Sequence, residues 1–177
     1  MQKKEFKYLD KRAYDYVISE LKRNGVTVAD IADIAFSYEE KYMQGLTKKD
    51  AYEAVNSILH KREVANAAMV GINLDKIATN GLLDEPLQYI VEEDAGVFGV
   101  DELLAFGIAN LYGMVGSSNF GFADKEKTGI IKQLDTVKGE KVNTFIDDIV
   151  GAIAAAAAAR ASGFRAARRA RRRGSPF

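Results

Sequence analysis

Residues 145–161 are apolar or small at nearly every position, and alanine occupies every position from 154 to 159. A helix that is apolar on all faces is buried, either inside a protein or in a membrane. Small side chains also let neighbouring helix backbones approach closely. The segment therefore predicts a buried central helix around which other parts of the chain pack.

Residues 100–115 form a second apolar segment, with Ala105, Ala109 and Gly113 spaced for one helix face. We expect it to cross the first helix closely near the centre of the molecule. The longer stretch 103–123 contains no charge and is long enough to span a bilayer. Because asparagines, serines and glycines interrupt this stretch, a buried helix followed by a loop is the better interpretation.

The rest of the chain shows the spacing of amphipathic helices and no alternating strand pattern. Thr27 with Asp30 and Thr47 with Asp50 are helix start signals of the capping-box type. Further helices are predicted at about 4–23, 62–78 and 124–134, with a short one after Pro86. The predicted fold is an all-α, single-domain helical bundle over residues 1–162, followed by a basic tail over 163–177.

The net charge of zero conceals a strong asymmetry. Seven arginines lie from Arg160 onward, so the preceding chain holds 18 basic and 25 acidic residues, a balance of −7. The tail either extends the alanine helix toward anionic lipid or is a solvated end. An arginine end on an acidic body does not indicate nucleic-acid binding, and a homo-oligomer is compatible with the sequence.

Several classes of site are disfavoured by the residue types present. The chain has no cysteine and one histidine, His60, which makes disulfides impossible and a zinc site of ordinary composition improbable. The segment Met1–Lys7 lacks the apolar stretch of a signal peptide. A cytoplasmic location is expected, with peripheral contact at the inner face of the membrane if the tail binds lipid.

Both apolar helices begin with acidic pairs, Asp101-Glu102 and Asp147-Asp148. Acidic residues favour helix N-termini, and Thr144 with Asp147 repeats the start signal, so capping alone can explain a single carboxylate. Capping does not explain the second acid of each pair. If the two helix starts meet, four carboxylates share a small space, and a hard divalent ion such as Mg²⁺ (or Mn²⁺) would neutralise them.

Three ordered elements of the sequence resemble the phosphatidylglycerophosphatase A family. They are the Asp-Asp pair followed by Ile149-Val150-Gly151-Ala152, the Asp-Glu element in residues 100–105, and the D-x-x-K element formed by Asp124 and Lys127 with the later Asp135. The whole chain is most similar to the soluble, YutG-like branch of that family. This branch is a helical bundle in which one central helix is surrounded by others.

The resemblance implies an Mg²⁺-dependent phosphomonoester hydrolase that removes the terminal phosphate of phosphatidylglycerophosphate or of a related phosphorylated metabolite. In that assignment the metal ligands are Asp101, Glu102, Asp147 and Asp148, the catalytic residues are Asp124 and Asp148, and the substrate-binding residues are Lys125, Lys127 and Asp135. Gly121 stands where the family has an arginine. The alternative function is therefore a non-enzymatic helical protein that binds a metal or a phosphorylated ligand.

Overall fold

The computed structural model describes residues 7–136 and 141–172, with side chains described through residue 163. Within these ranges the chain forms nine helices and no strand, which confirms the all-α prediction. The helices are α1 Asp10–Arg23, α2 Val28–Glu39, α3 Lys48–Leu59, α4 Arg62–Thr79, α5 Leu87–Glu92, α6 Val100–Asn110, α7 Gly113–Glu126, α8 Gly129–Thr136 and α9 Ile146–Arg172.

Helix α9 is the centre of the molecule, as the run of apolar and small residues predicts. Every residue from Phe145 to Ala158 is buried. Helices α2, α3, α4, α6, α7 and α8 all pack against it. With 27 residues, α9 is about 40 Å long. The alanines let so many neighbours surround one helix, since their short side chains leave room for close packing.

Two of the helix starts follow the predicted local chemistry. Thr27 accepts a hydrogen bond from the Asp30 amide, and the Asp30 side chain accepts one from the Thr27 amide. Thr47 and Asp50 make the same reciprocal pair at the start of α3. Both capping-box predictions are confirmed. They could be made from the sequence because each involves only residues three positions apart.

The prediction of one buried helix over residues 100–115 is wrong. Helix α6 ends at Asn110, and α7 begins at Gly113, whose φ of +67° breaks the helix. Helix α6 is also partly exposed. Only the side that carries Ala105 and Ala109 faces α9, and Leu103 on the other side is 71% exposed. The predicted loop after residue 115 is helix α7.

Gly113 is not at a close helix crossing, contrary to the sequence prediction. A Cβ atom built there would meet no described atom within 4 Å. The close approach is made by Gly116 of α7, where an added Cβ would overlap the carbonyl oxygen of Ala109 in α6. This close approach joins α6 and α7, whereas the predicted crossing was between the helix at 100–115 and the central helix.

The predicted polar helix at 124–134 is divided in two. Asp124 belongs to the last turn of α7, and the chain turns at Lys127 (φ 37°) and Gly129 (φ 58°) before α8 begins. Helices α3 and α4 are separate, since the helical conformation is interrupted at His60 and Lys61.

The backbone of α9 continues as a helix to Arg172. The side chains that follow Gly163 and the residues at 173–177 lie outside the described part of the chain, so the two interpretations of the basic tail stay predictions. Of the helices within the described ranges, none has both the length and the apolar character needed to cross a bilayer.

Candidate functional site

Three of the four predicted metal ligands come together at one end of the bundle. Asp101 and Glu102 lie in the first turn of α6, and Asp148 lies in the first turn of α9. One carboxylate oxygen from each lies within 4.8 Å of the other two. The two helices therefore begin at the same end of the molecule. We call these residues the three-carboxylate cluster.

Two of the three residues of the cluster are buried, Glu102 is half-buried, and the cluster is incompletely hydrogen-bonded. Asp101 is 6% exposed and Asp148 is 5% exposed. Asp101 Oδ1 and Glu102 Oε2 are buried without a hydrogen-bond partner among the described residues. Buried polar atoms nearly always have a partner, and here a proton shared between the two carboxylates or a bound cation would supply it. Oxygen donors at this spacing fit a hard divalent cation such as Mg²⁺.

The electrostatics of the cluster favour protonation in the absence of a cation. Burial, together with the charges of Asp147, Asp101 and Asp124, raises the pKa of Asp148 to about 9. Burial and the neighbouring Glu102 raise the pKa of Asp101 to about 7. A bound divalent cation would reverse these shifts, because it favours the ionised carboxylates.

Asp147, the fourth predicted ligand, lies outside the three-carboxylate cluster. Its Oδ2 lies 3.0 Å from Lys127 Nζ, and its Oδ1 accepts a hydrogen bond from the Asp148 amide at 2.9 Å. Burial raises the pKa of Asp147 to about 6, against the opposing charge of Lys127. Successive helix residues point about 100° apart, so adjacent aspartates in one helix face different neighbours.

Lys127 links two helix ends beside the cluster. Its Nζ donates to Asp135 at 2.6 Å and to Asp147 at 3.0 Å. Partial burial lowers the pKa of Lys127, but the Asp135 hydrogen bond and the Asp147 charge outweigh it and raise the pKa overall. The left-handed conformation of Lys127 ends α7 and turns the side chain toward α9. An ammonium group has three donors, so one is left for a further ligand.

The remaining predicted residues lie on the last turn of α7. Asp124 is half-buried, and its charge contributes to the raised pKa of Asp148, which places it close to the cluster. Lys125 is exposed next to it. Three helix ends therefore supply the site: the starts of α6 and α9 and the end of α7.

Asp75 of α4 is a site residue that the sequence analysis missed. Its carboxylate accepts hydrogen bonds from the backbone amides of Phe145 (3.0 and 3.2 Å) and Ile146 (2.9 Å), so it caps α9 from another helix. Burial raises its pKa to about 8 in spite of these bonds. The predicted cap, Thr144, instead donates to the Val91 carbonyl oxygen at 2.6 Å.

A signal for Asp75 does exist in the sequence. It continues the buried face of α4 after Ala68, Gly71 and Ile72, at helical spacing. A carboxylate at a core position of an amphipathic helix must find donors. Asp94, in the loop after α5, adds negative charge that raises the pKa of both Asp75 and Asp147.

Comparisons with known proteins identify a family and several relatives. A sequence model of the family described as "Phosphatidylglycerophosphatase A" matches residues 21–162. The uncharacterized protein YutG of Bacillus subtilis is 48% identical over 142 residues, covering 80% of this chain and 86% of YutG.

Solved structures extend the similarity to the fold. A protein of unknown function from Bacillus stearothermophilus is 46% identical, with a TM-score of 0.83 over 90% of this chain and 97% of that one. The low temperature requirement C protein from Listeria monocytogenes is 44% identical, with a TM-score of 0.84 over 86% of this chain and 96% of its own. On the match over residues 21–162, which includes every residue of the cluster, this chain belongs to the phosphatidylglycerophosphatase A family.

Proposed function

We propose that this protein is a divalent-metal-dependent phosphomonoester hydrolase. The observation that carries the proposal is the three-carboxylate cluster, in which two buried oxygens have no described hydrogen-bond partner. Family membership supports the same class of reaction. The substrate is the terminal phosphate of phosphatidylglycerophosphate or of a related phosphorylated metabolite. A cytoplasmic enzyme would meet either substrate, the lipid at the inner face of the membrane.

Asp101, Glu102 and Asp148 would hold Mg²⁺ or Mn²⁺. When bound, such an ion polarises the phosphoryl group and lowers the pKa of a water molecule. The carboxylates themselves must be ionised to act as ligands. Because burial raises the pKa values of Asp148 and Asp101, occupancy should increase with pH.

The residues around the cluster bind and orient the phosphate. Lys127 is held by Asp135 and Asp147 and keeps one donor for a phosphate oxygen. Lys125, at the exposed end of α7, adds a second positive charge at the entrance. Asp124, whose charge acts on Asp148, would orient a water molecule by accepting its hydrogen bond. Asp148 would serve as a metal ligand and, with Asp124, as a catalytic residue.

The test is phosphate release by the purified full-length chain with millimolar Mg²⁺ or with a chelator. The substrates are phosphatidylglycerophosphate in mixed micelles, glycerol 3-phosphate and p-nitrophenyl phosphate. We expect metal-dependent release from at least one of them, and loss of about 100-fold or more in Asp148→Asn. The control is Asp33→Asn, which removes an acid that is 59% exposed and paired with Lys48.

Two results would contradict the proposal. Phosphate release that is unchanged by the chelator would show that the reaction does not need a metal ion. Absence of release from all three substrates, together with a clear thermal shift on adding Mg²⁺, would identify a non-enzymatic metal-binding protein.

A further inference from the structure

We propose that the outer side of the α6–α7 hairpin is a surface on which a second copy of this chain docks. Both helices pack against α9 with their inner sides and meet closely where Gly116 contacts the Ala109 carbonyl. Their outer sides therefore lie next to each other on the molecular surface. We call this surface the hairpin face; it is defined by Val100, Leu103, Phe106, Met114, Val115 and Phe122.

The hairpin face exposes an unusual amount of apolar side chain. Met114 is 85% exposed, Leu103 is 71% exposed, and the other four are between 43% and 54% exposed. With roughly 150–220 Å² for each fully exposed side chain, the six present on the order of 700 Å². The largest apolar patch on an ordinary monomer is about 300–600 Å². One partner of a standard protein interface contributes about 800 Å².

The hairpin face also lacks charge. Residues 103–123 contain no Asp, Glu, Lys or Arg, whereas a stretch of this length would carry about five charges at the usual frequency. Charged residues are depleted at the centres of interfaces, where they would lose their hydration. Burial on a partner explains both the apolar side chains and the absence of charge.

The shape of the hairpin face favours a second copy over another partner. Leu103 and Met114 are its most exposed side chains, whereas an added Cβ at Gly107 or Gly121 would meet no described atom within 4 Å, so the backbone there is open to a partner. In a symmetric dimer the long side chains of one copy can pack over the glycines of the other, and each such contact occurs twice.

The charges at the ends of the hairpin disfavour a bilayer as the partner. Asp101 and Glu102 lie at the start of α6, and Asp124 and Glu126 lie at the end of α7, with Lys125 as the only basic residue of either helix. Membrane-bound surfaces usually attract anionic headgroups with several Lys or Arg residues. An uncharged copy of the same face has no such conflict.

The experiment is sedimentation velocity of the full chain at concentrations from about 1 to about 100 µM, a range that detects micromolar dimers. We expect a species of twice the 19.4 kDa chain mass. Leu103→Arg and Met114→Arg should each raise the dimer dissociation constant about 100-fold or more, because a symmetric interface would bury the new charge twice. Circular dichroism should show unchanged helix content.

Leu82→Arg is the matched control, since Leu82 is 72% exposed and lies in the turn between α4 and α5. This variant should remain a dimer. A wild-type chain that sediments at 19.4 kDa over the whole range would overturn the inference. Equal dissociation constants for all three variants would also overturn it. A monomer that floats with phosphatidylcholine vesicles, and loses this property in Leu103→Arg, would show that the hairpin face binds membranes instead.

Discussion

Replacing Asp148 with asparagine tests the cluster most directly, because it removes the charge and preserves the size of the side chain. Asp148 is 5% exposed, and its neighbours include the carboxylates of Asp101 and Asp147. Without a cation, the ionised form of Asp148 is therefore costly to the folded state. Asparagine is neutral at every pH and removes this cost.

The sign and size of the effect follow from the pKa. The folded-state pKa of Asp148 is raised from 3.8 to about 9, so stability is greatest below about pH 4 and is lost as the pH rises toward 9. At pH 7 the loss has an upper bound of about 4 kcal/mol, which is about three pH units at 1.36 kcal/mol each. Asparagine should recover only part of this lost stability, because the polar atoms of its buried amide also need hydrogen-bond partners.

We expect a net gain of about 1–2 kcal/mol for Asp148→Asn in a chelating buffer at pH 7. For a chain of this length each kcal/mol raises the Tm by about 2–4 °C. Mg²⁺ at 100 times its Kd should stabilise the wild-type chain by about 2.7 kcal/mol. The same Mg²⁺ concentration should leave the Tm of the variant within about 1 °C of its metal-free value, because a ligand has been lost.

Thermal melts followed by far-UV circular dichroism measure both effects. The Mg²⁺ increment of the wild-type chain should be larger at about pH 8 than at about pH 5, since protons compete with the metal for the carboxylates. Asp33→Asn is the control and should keep the full increment. An increment in Asp148→Asn equal to that of the wild type, or no wild-type increment with either Mg²⁺ or Mn²⁺, would refute the reasoning.

Three further predictions concern packing, capping and the tail. Gly116→Ala should destabilise the protein by about 1–3 kcal/mol in urea unfolding, because its Cβ would overlap the Ala109 carbonyl oxygen. Gly121→Ala should stabilise the protein by about 0.5–1 kcal/mol, because an added Cβ there meets no described atom within 4 Å. Equal effects of the two substitutions would contradict the close approach of α6 and α7. Asp75→Ala should lower the free energy of unfolding by about 2–4 kcal/mol, because it leaves two buried amides at the start of α9 without an acceptor. Asp75→Asn keeps an acceptor oxygen and should lower it by less than half as much. Equal losses of stability would show that these hydrogen bonds are unimportant. Truncation after Ser162 should change the Tm by less than about 2 °C, because the removed residues carry little apolar surface; unfolding would mean that the tail docks on the acidic body.

The sequence predicted those parts of the fold that depend on neighbouring residues. The capping boxes at Thr27 and Thr47 need only the acid three positions on, and the burial of α9 follows from its own apolar side chains. The acidic pairs at Asp101 and Asp147 were predicted to do more than cap, since one carboxylate is enough to cap a helix, and Asp101, Glu102 and Asp148 do lie together.

The predictions that were wrong or incomplete depend on backbone conformation or on contacts between residues distant in the chain. Gly113 is spaced like a core position of α6, but its positive φ ends the helix, and φ is not visible in the spacing of side chains. The apolar residues Leu103 and Phe106 indicated burial, yet they lie on the side of α6 that faces away from α9. Asp75 is 70 residues away from the amide of Phe145 that it caps, so no local pattern connects them.

The distant cap is also what allows a site to exist at the start of α9. This helix begins in the interior, where its first amides cannot reach water and must be bonded to something. Asp75 bonds the amides of Phe145 and Ile146, and Asp147 bonds the amide of Asp148 and balances its remaining charge with Lys127. Asp148 is thereby relieved of any capping role and can turn its carboxylate toward Asp101 and Glu102. If Asp148 holds a metal ion, as proposed, capping and ligation fall on different residues. Asp75 variants should then lose stability but keep the increase in Tm on adding Mg²⁺, whereas Asp148→Asn should lose that increase and gain stability. A single residue set performing both tasks would make these two losses inseparable.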